Sequence, residues 1–454
     1  MRIVRELNGD CLTPVVAYLR LKGGQKSLLE SIPREQEEGR YSIIAFDAVH
    51  YLSFKDGYFI MDERRYAVAD PLKELEKYVL TTENLLTDLP FQGGAIGYAS
   101  YDLASVYENL GTLPVDELDI PEMAFYLYES FVVYDHQKEK LLLVADNCYS
   151  HVATAVLKER IAKMTRELQT PSPLESKPVA NIQLTFSSNT QQHEFETLVE
   201  KAKEKIIAGD LFQVVPSQRL KAAFPYDPFD YYRKLRLSNP SPYLYYLDLP
   251  AVKIIGSSPE SLVRVKGKRV TTNPIAGTKK RGATKEEDEA LAKSLLADEK
   301  ERAEHQMLID LGRNDLGKVS AVGSVEVPLY MTIERFRYVM HIVSLVTGTL
   351  KKEASAMDAL KATLPAGTVS GAPKIRAMQR IYQWEKVRRN VYAGAVGYLS
   401  QNGNADFAIA IRTMMLKDAT AYVQAGAGIV YDSDPTSEYF ETLQKAKALL
   451  EVEG

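Results

Sequence analysis

The chain has 454 residues, enough for two or three domains or one interwoven body, and its 45% hydrophobic and 26% charged content is that of an ordinary globular protein. With 56 Lys plus Arg against 60 Asp plus Glu, the formal charge of −4 gives no general attraction to nucleic acid or to an anionic membrane. Two cysteines, Cys11 and Cys148, are too few for a disulfide framework or a cysteine-rich metal site, and MRIVRELNGDCLTP holds no apolar signal core, so a cytoplasmic protein is expected.

In chain order, residues 1–170 read as β-rich. YSIIAF at 41–46, HYLSF-DG-YFIM around a two-residue turn at 50–61, SFVVY at 130–134 and KLLLVA at 140–145 are strand-like. Helical patterns interrupt them near 71–80 and 151–168. Residues 171–190, within a polar stretch holding Pro171, Pro173 and Pro178, are expected to be a linker. In 191–454, Phe195, Leu198, Ala202 and Ile206 fall at helical spacing and Gly209 supplies a stop before the extended run LFQVVP. Strands are expected at 243–249, 252–258, 261–273 around KGK, 392–400, 406–416 and 420–428. Helices are expected from Thr284 to about 313, then at 354–363, 372–384 and 436–451. Strands feeding strands, with helices grouped between them, predict an α+β fold of large antiparallel sheets with surrounding helices, in two associated portions.

Two nucleotide-binding signals fail on inspection. PAGTVSGAPK at 365–374 has the wrong glycine spacing for a phosphate loop, and Pro373 removes an amide donor. Gly426 and Gly428 begin a GxG without the third glycine. Eight basic residues between Ser261 and Lys285 are followed by eight acidic ones from Glu286 to Glu304, the pattern of solvated faces rather than of a nucleic-acid patch.

The residues with chemical potential each have a plain alternative. On the last helix Glu438, Glu441 and Lys445 share a face, which by itself describes an exposed i to i+4 pair; Glu301, Glu304 and His305 cluster similarly on another helix. Alternatively, Glu304 and Glu441 point inward from different helices to hold Mg²⁺, beside Arg412 in a β-like alternation, Lys445, and the Gly426–Gly428 backbone, together a receptor for an anion. Glu260, at the end of an apolar strand, is either a solvated turn residue or a carboxyl kept protonated by apolar surroundings for general-acid work. His341 lies within VMHIVSLV, where a hydrogen-bonded core histidine is the plain reading.

Longer matches bear on these alternatives. LLES (28–31), DLFQVVPSQR (210–219), NPSPYLYYL (239–247), GSSPESLVR (256–264), PIAGTKKRG (274–282), DEKERAEHQMLIDLGRND (298–315), LPAGTVSGAPK (364–374), AIRT (410–413), QAGAGIVYDSDP (424–435) and SEYFETLQK (437–445) follow one another in a family's order. The chain thereby resembles the chorismate-utilising enzymes, and within them the anthranilate-forming synthases. The resemblance implies a C-terminal chorismate-binding portion and an N-terminal regulatory portion. It implies Glu304 and Glu441 as ligands of Mg²⁺, and Thr278, Tyr392, Arg412, Gly426, Gly428 and Lys445 as substrate contacts. It implies Glu260 as the acid for the departing 4-hydroxyl while ammonia adds at C2, with His341 and Thr368 in the same site.

Two positions separate relatives. Gln213 stands where isochorismate and salicylate synthases carry a lysine base, and an amide cannot activate water. Ala276 in PIAGT stands where aminodeoxychorismate synthases commonly carry a nucleophilic lysine. Neither cysteine sits in the G-x-C-x-G elbow of a glutamine amidotransferase, so a separate amidotransferase subunit is expected to supply ammonia; the resemblance implies a heterotetramer of two of each subunit. The resemblance further implies the first committed step of tryptophan biosynthesis and feedback inhibition by tryptophan held at Ser31, Pro242, Tyr243 and Leu244, with Arg40 a possible basic contact. The rivals are an aminodeoxychorismate synthase component I and a catalytically silent tryptophan-binding relative.

Overall fold

The computed structural model describes residues 1–31, 39–81, 89–175, 177–179, 181–335 and 339–452. Two large antiparallel sheets lie against each other. The first runs Arg2–Asn8, Lys140–Asp146, Ser130–Asp135, Tyr41–Ala45, Ser27–Glu30, Tyr243–Asp248, Lys253–Ser258, Thr413–Lys417, Thr420–Gly426, Ser217–Ala223, Phe186–Ser188. The second runs Ile275–Lys280, Val339–Thr349, Arg269–Thr272, Ser261–Lys266, Ala405–Ile409, Ala395–Ser400, Gly94–Ala99, Met123–Tyr128, His50–Lys55, Tyr58–Met61, Arg64–Ala67, with Glu326–Arg335 also paired to Val339–Thr349.

The period-2 geometry of a strand explains why central segments such as MAFYLY and AVGYLS are apolar throughout rather than alternating with polar residues. Tyr245 and Leu247 face the core between the sheets, while Leu244 and Tyr246 face a core shared with the helices Pro14–Arg20, Thr154–Gln169, Pro228–Ser238 and Pro435–Leu450. In the second sheet Ala124 and Tyr126 face inward, whereas Phe125 and Leu127 pack toward the helices Pro71–Val79, Gln192–Ile207, Glu299–Val319, Ala356–Thr363 and Lys374–Trp384. Helix, sheet, sheet and helix are thus stacked, and the central strands of both sheets, such as Met123–Tyr128 and Ala395–Ser400, are buried on both faces. Among the described residues no helix is long and apolar enough to cross a membrane.

Each sheet draws strands from both sides of residues 171–190, so the division into 1–170 and 191–454 partitions the chain and not the sheets. The expected linker itself supplies Ile182–Gln183, paired with Glu451–Val452, and the edge strand Phe186–Ser188. The helix expected from Thr284 is two, Lys285–Ala297 and Glu299–Val319, because the Asp298 side chain caps a new start by accepting from the Lys300 and Glu301 amides at 3.0 and 3.2 Å.

Twice the chain leaves one sheet for the other at the same place. It passes from the first to the second between Ser258 and Ser261, and returns between Ile409 and Thr413. The single strand expected at 406–416 is therefore two, and Arg412 lies outside any β alternation, in the left-handed region at φ 50°. The Ile409 amide donates to the Glu260 carbonyl at 3.0 Å, and the Ser257 amide donates to the Arg412 carbonyl at 3.0 Å. These two crossovers bring Glu260 and Arg412 to one seam.

Candidate active site

Glu260 is 9% exposed, at the lip of a small cavity of about 40 Å³ lined also by Thr272, Leu308, Leu311, Asp315, Thr363, Gly367 and Thr368. Burial pushes its carboxyl from the ordinary 4.5 up to about 8, and the Thr368 hydroxyl, donating to Oε1 at 3.0 Å, only partly opposes that. At neutral pH the group is a neutral acid. Thr368 occupies a short turn, Gly367–Val369, which packs on the helix Glu299–Val319.

Arg412 is half-buried. Its guanidinium forms no ion pair and donates no hydrogen bond among the described residues; burial pulls its pKa down and the nearby Tyr392 opposes the shift. An arginine keeps its charge under such a load, so the site holds a desolvated cation that lacks an anion. Burial pushes the Tyr392 phenol up to about 12, against the pull of Arg389. The Tyr392 hydroxyl is bonded by the Gly426 amide, and a Cβ on Gly426 would stand 3.0 Å from that hydroxyl and 2.7 Å from the Pro216 carbonyl, so only glycine allows this approach. The Lys445 ammonium donates to the Gly426 carbonyl at 3.1 Å and pairs with Glu441 at 2.6 Å.

His341 Nδ1 lies 3.0 Å from the Gly277 carbonyl and 3.0 Å from the Thr278 hydroxyl, across the strand pair that sets Thr278 opposite His341. A carbonyl can only accept, which places a proton on Nδ1 and leaves Nε2 as the basic nitrogen. Gln213 donates from Nε2 to Glu304 Oε1 at 2.9 Å, and Gly428 lies so near that a Cβ there would come within 2.9 Å of the same nitrogen.

Glu304 and Glu441 share no hydrogen-bond partner, and Glu441 keeps 49% of its side chain exposed. Their helices nonetheless meet electrostatically, since Lys300 of the first acts on Glu438 of the second. Burial raises both Glu301 and Glu438, and the neighbouring Glu304 and Glu441 add to it respectively. Among the described residues no three His, Cys, Asp or Glu side chains gather as a metal cluster. Glu304 and Glu441, held here by Gln213 and Lys445, are carboxylates of the kind a hard ion such as Mg²⁺ takes together with water and ligand oxygen. They do not fit a closed zinc site.

Ser31, Pro242, Tyr243 and Leu244 line a second, much larger cavity of about 1070 Å³ along the inter-sheet seam, together with Arg40. Three ion pairs stand at this cavity, Glu30 with Arg236 at 3.0 Å, Arg40 with Asp135 at 2.7 Å, and Arg264 with Asp406 at 2.8 Å, while the exposed Lys138 and Lys266 also line it. The buried Asp315–Lys374 pair does not stand out in the sequence because its members are 59 residues apart, and Arg389, though paired with the nearby Glu385, also meets the remote Val215 and Val369 carbonyls.

The comparisons agree with this geometry. Residues 28–451 match the model of the chorismate binding enzyme family. The chain is 53% identical to anthranilate synthase component 1 of Lactococcus lactis subsp. lactis, covering 100% of both, and 44% identical to that of Thermus thermophilus over 98% of this chain and 96% of the relative. The crystal structure of anthranilate synthase component I from Streptococcus pneumoniae superposes with a TM-score of 0.87 at 49% identity, covering 98% of this chain and 99% of that one. The menaquinone-specific isochorismate synthase of Escherichia coli shares the fold, with a TM-score of 0.73 at 21% identity over 99% of this chain and 95% of that one. A buried acid and an unpaired cation, one at each of the two crossovers of this double sheet, are thus found in a chain that belongs to the chorismate binding enzyme family.

Proposed function

We propose that the chain is the chorismate-converting component of an anthranilate synthase, a Mg²⁺-dependent lyase that turns chorismate and ammonia into anthranilate, pyruvate and water. The observation that carries this reading is the convergence of neutral Glu260 and unpaired Arg412 at the two sheet crossovers. Relatives bearing that name at 44–53% identity over nearly the whole chain support it.

The substrate is a dianion, and Arg412, with Tyr392 and Lys445 beside it, takes a carboxylate in the place where the cation lacks one. Glu304 and Glu441 would hold the metal, which when bound supplies Lewis-acid withdrawal of electron density from the ring carboxylate. Thr368 fixes Glu260 Oε1 as an acceptor, leaving the acidic proton on Oε2. Glu260 gives that proton to the 4-hydroxyl, which departs as water while the ammonia lone pair forms the C2–N bond and the ring double bonds shift. Loss of the C2 proton, for which His341 Nε2 is the proposed acceptor, breaks the C3–O bond, releases enolpyruvate to become pyruvate, and restores aromaticity. Gln213 offers no base for water, and Ala276 no amine for covalent attack.

Ammonia comes, in this reading, from a glutamine amidotransferase partner, in a tetramer of two of each subunit. Burial pushes the Cys148 thiol up to about 12, which makes it a poor nucleophile for hydrolysing glutamine in this chain. Tryptophan inhibits from the large cavity, whose Glu30, Ser31 and Arg40 are suited to an amino acid's two charges and whose tyrosines are suited to an indole. The test is chromatography of the products from purified chain, chorismate, Mg²⁺ and ammonium. Anthranilate and pyruvate in equal amounts are expected; an unaromatised amino compound, isochorismate or no product would overturn the reading.

A further inference from the structure

The Arg389 guanidinium is 1% exposed and reaches three site-bearing segments at once. Nη1 donates to the Val369 carbonyl at 2.7 Å, next to Thr368, and Nη2 donates to the Val215 carbonyl at 2.6 Å, in the segment that carries Gln213. The group pairs with Glu385 at 2.6 and 2.9 Å and stands 4.6 Å from the centre of the Tyr101 ring and 5.5 Å from that of Tyr392. Glu385 in turn accepts from the Ser217 amide and hydroxyl, both at 2.8 Å, and Ser217 is registered opposite Gly426.

A structural ion pair would need only Glu385. Here the remaining N–H groups go to backbone carbonyls of two separate loops, and a carbonyl held by a fork cannot slide along its strand. Arginine is required for that geometry, since a lysine ammonium is a point charge without a planar fork. Glu385 and Tyr101 hold the Arg389 charge against the cost of burial, so the group does not titrate and serves geometry alone.

We propose that Arg389, clamped by Glu385, is a positioning residue that sets Thr368 against Glu260, the Gln213 segment against Glu304, and Tyr392 against Arg412. This rests on the chorismate reading of the site. Since a displacement of about 1 Å at a reacting centre costs about 10²-fold in rate, loosening the fork should act on turnover before it acts on folding.

The experiment compares wild type, Arg389→Lys, Glu385→Gln, Thr368→Val and the double variant Thr368→Val/Arg389→Lys, measuring thermal midpoint, kcat and KM for chorismate, and the pH dependence of kcat/KM, with ammonium and Mg²⁺ present. Around Glu260 the other titratable group lining the cavity is Asp315, paired with Lys374 and Lys318, and none of the variants touches that cluster. Thr368→Val removes the bond that favours the Glu260 carboxylate and should move the alkaline limb upward. Arg389→Lys should unfold cooperatively, lose about 10²-fold in kcat with a smaller change in KM, and move the limb the same way. The double variant should move it no further than Thr368→Val alone. A kcat and limb equal to wild type, a loss that merely follows the folded fraction, or additive limb shifts would overturn the proposal. Should Arg389→Lys fail to fold, Glu385→Gln decides: a lowered kcat with a raised limb supports the clamp, and wild-type values refute it. Wild type that makes no anthranilate would refute the proposed function instead, independently of the variants.

Discussion

Around the large cavity, Glu30 meets Arg236, Arg40 meets Asp135, and Arg264 meets Asp406, so every one of these charges is answered by the protein. A short way along the same seam, Arg412 has no answering carboxylate among the described residues, and Glu260 is buried deeply enough to keep its proton. Both regions are walled by the same antiparallel strands: Tyr243 lines the cavity from a strand whose register partner is Ser258, two residues before Glu260. Packing is therefore not what separates them. Compensated charge costs little and suits reversible binding, whereas uncompensated charge stores a demand that only a ligand or a proton can satisfy.

That contrast can be broken most severely at the metal. Chelation of Mg²⁺, Glu304→Gln or Glu441→Gln should each reduce anthranilate fluorescence to background while the unfolding transition persists. Near-normal rates in both variants would remove the carboxylate assignment.

Next in size is Glu260→Gln, which should lose about 10²–10⁴-fold in kcat. It should also change stability in a direction fixed by linkage. An acid raised from 4.5 to about 8 contributes stability that is complete below the unfolded value and lost as pH rises through the folded one. The glutamine variant should thus match wild type in acid and exceed it above pH 8, by up to about 5 kcal/mol in thermal or denaturant unfolding. Equal pH dependence in the two proteins would show that Glu260 is ionised in the fold. Wild-type kcat/KM should likewise fall as pH passes through about 8.

Arg412→Met should cost about 10²-fold in kcat/KM for chorismate, the worth of a strong charged hydrogen bond, and should raise the thermal midpoint of the substrate-free protein. A lowered midpoint would mean that the guanidinium has a partner after all. The smallest effect on turnover belongs to the large cavity. Ser31→Ala or Tyr243→Ala should weaken inhibition by tryptophan about tenfold or more while changing the ammonia-dependent rate less than any variant above. A matching loss of turnover would erase the distinction between the two regions.

Local chemistry was readable where a segment carries its own reason. The Asp56-Gly57 turn predicts a tight hairpin, and both residues take positive φ, 50° and 83°, with Lys55 opposite Tyr58. The apolar strands were readable because both of their faces are covered. Sheet membership was not, because DFAIAIRTMML looks like one strand until the chain changes sheets at Arg412. For the site, the motifs that carry the resemblance pointed to Glu260, Thr368 and Arg412, and the apolar strand before Glu260 offered a protonated carboxyl as one of two readings, but the pairing of Arg412 was not legible. Whether Arg412 is paired depends on what the second crossover places beside it. The wider role of Arg389 was illegible for a related reason: beyond the i to i+4 pair with Glu385, its partners are backbone carbonyls at Val215 and Val369, and a carbonyl has no sequence signature.

Infrared difference spectra of wild type minus Glu260→Gln, recorded across pH, observe the decisive group itself. A buried neutral carboxyl band that persists through pH 7 and vanishes around pH 8 is expected. A carboxylate already ionised by pH 5 would contradict the assignment of Glu260 as the acid.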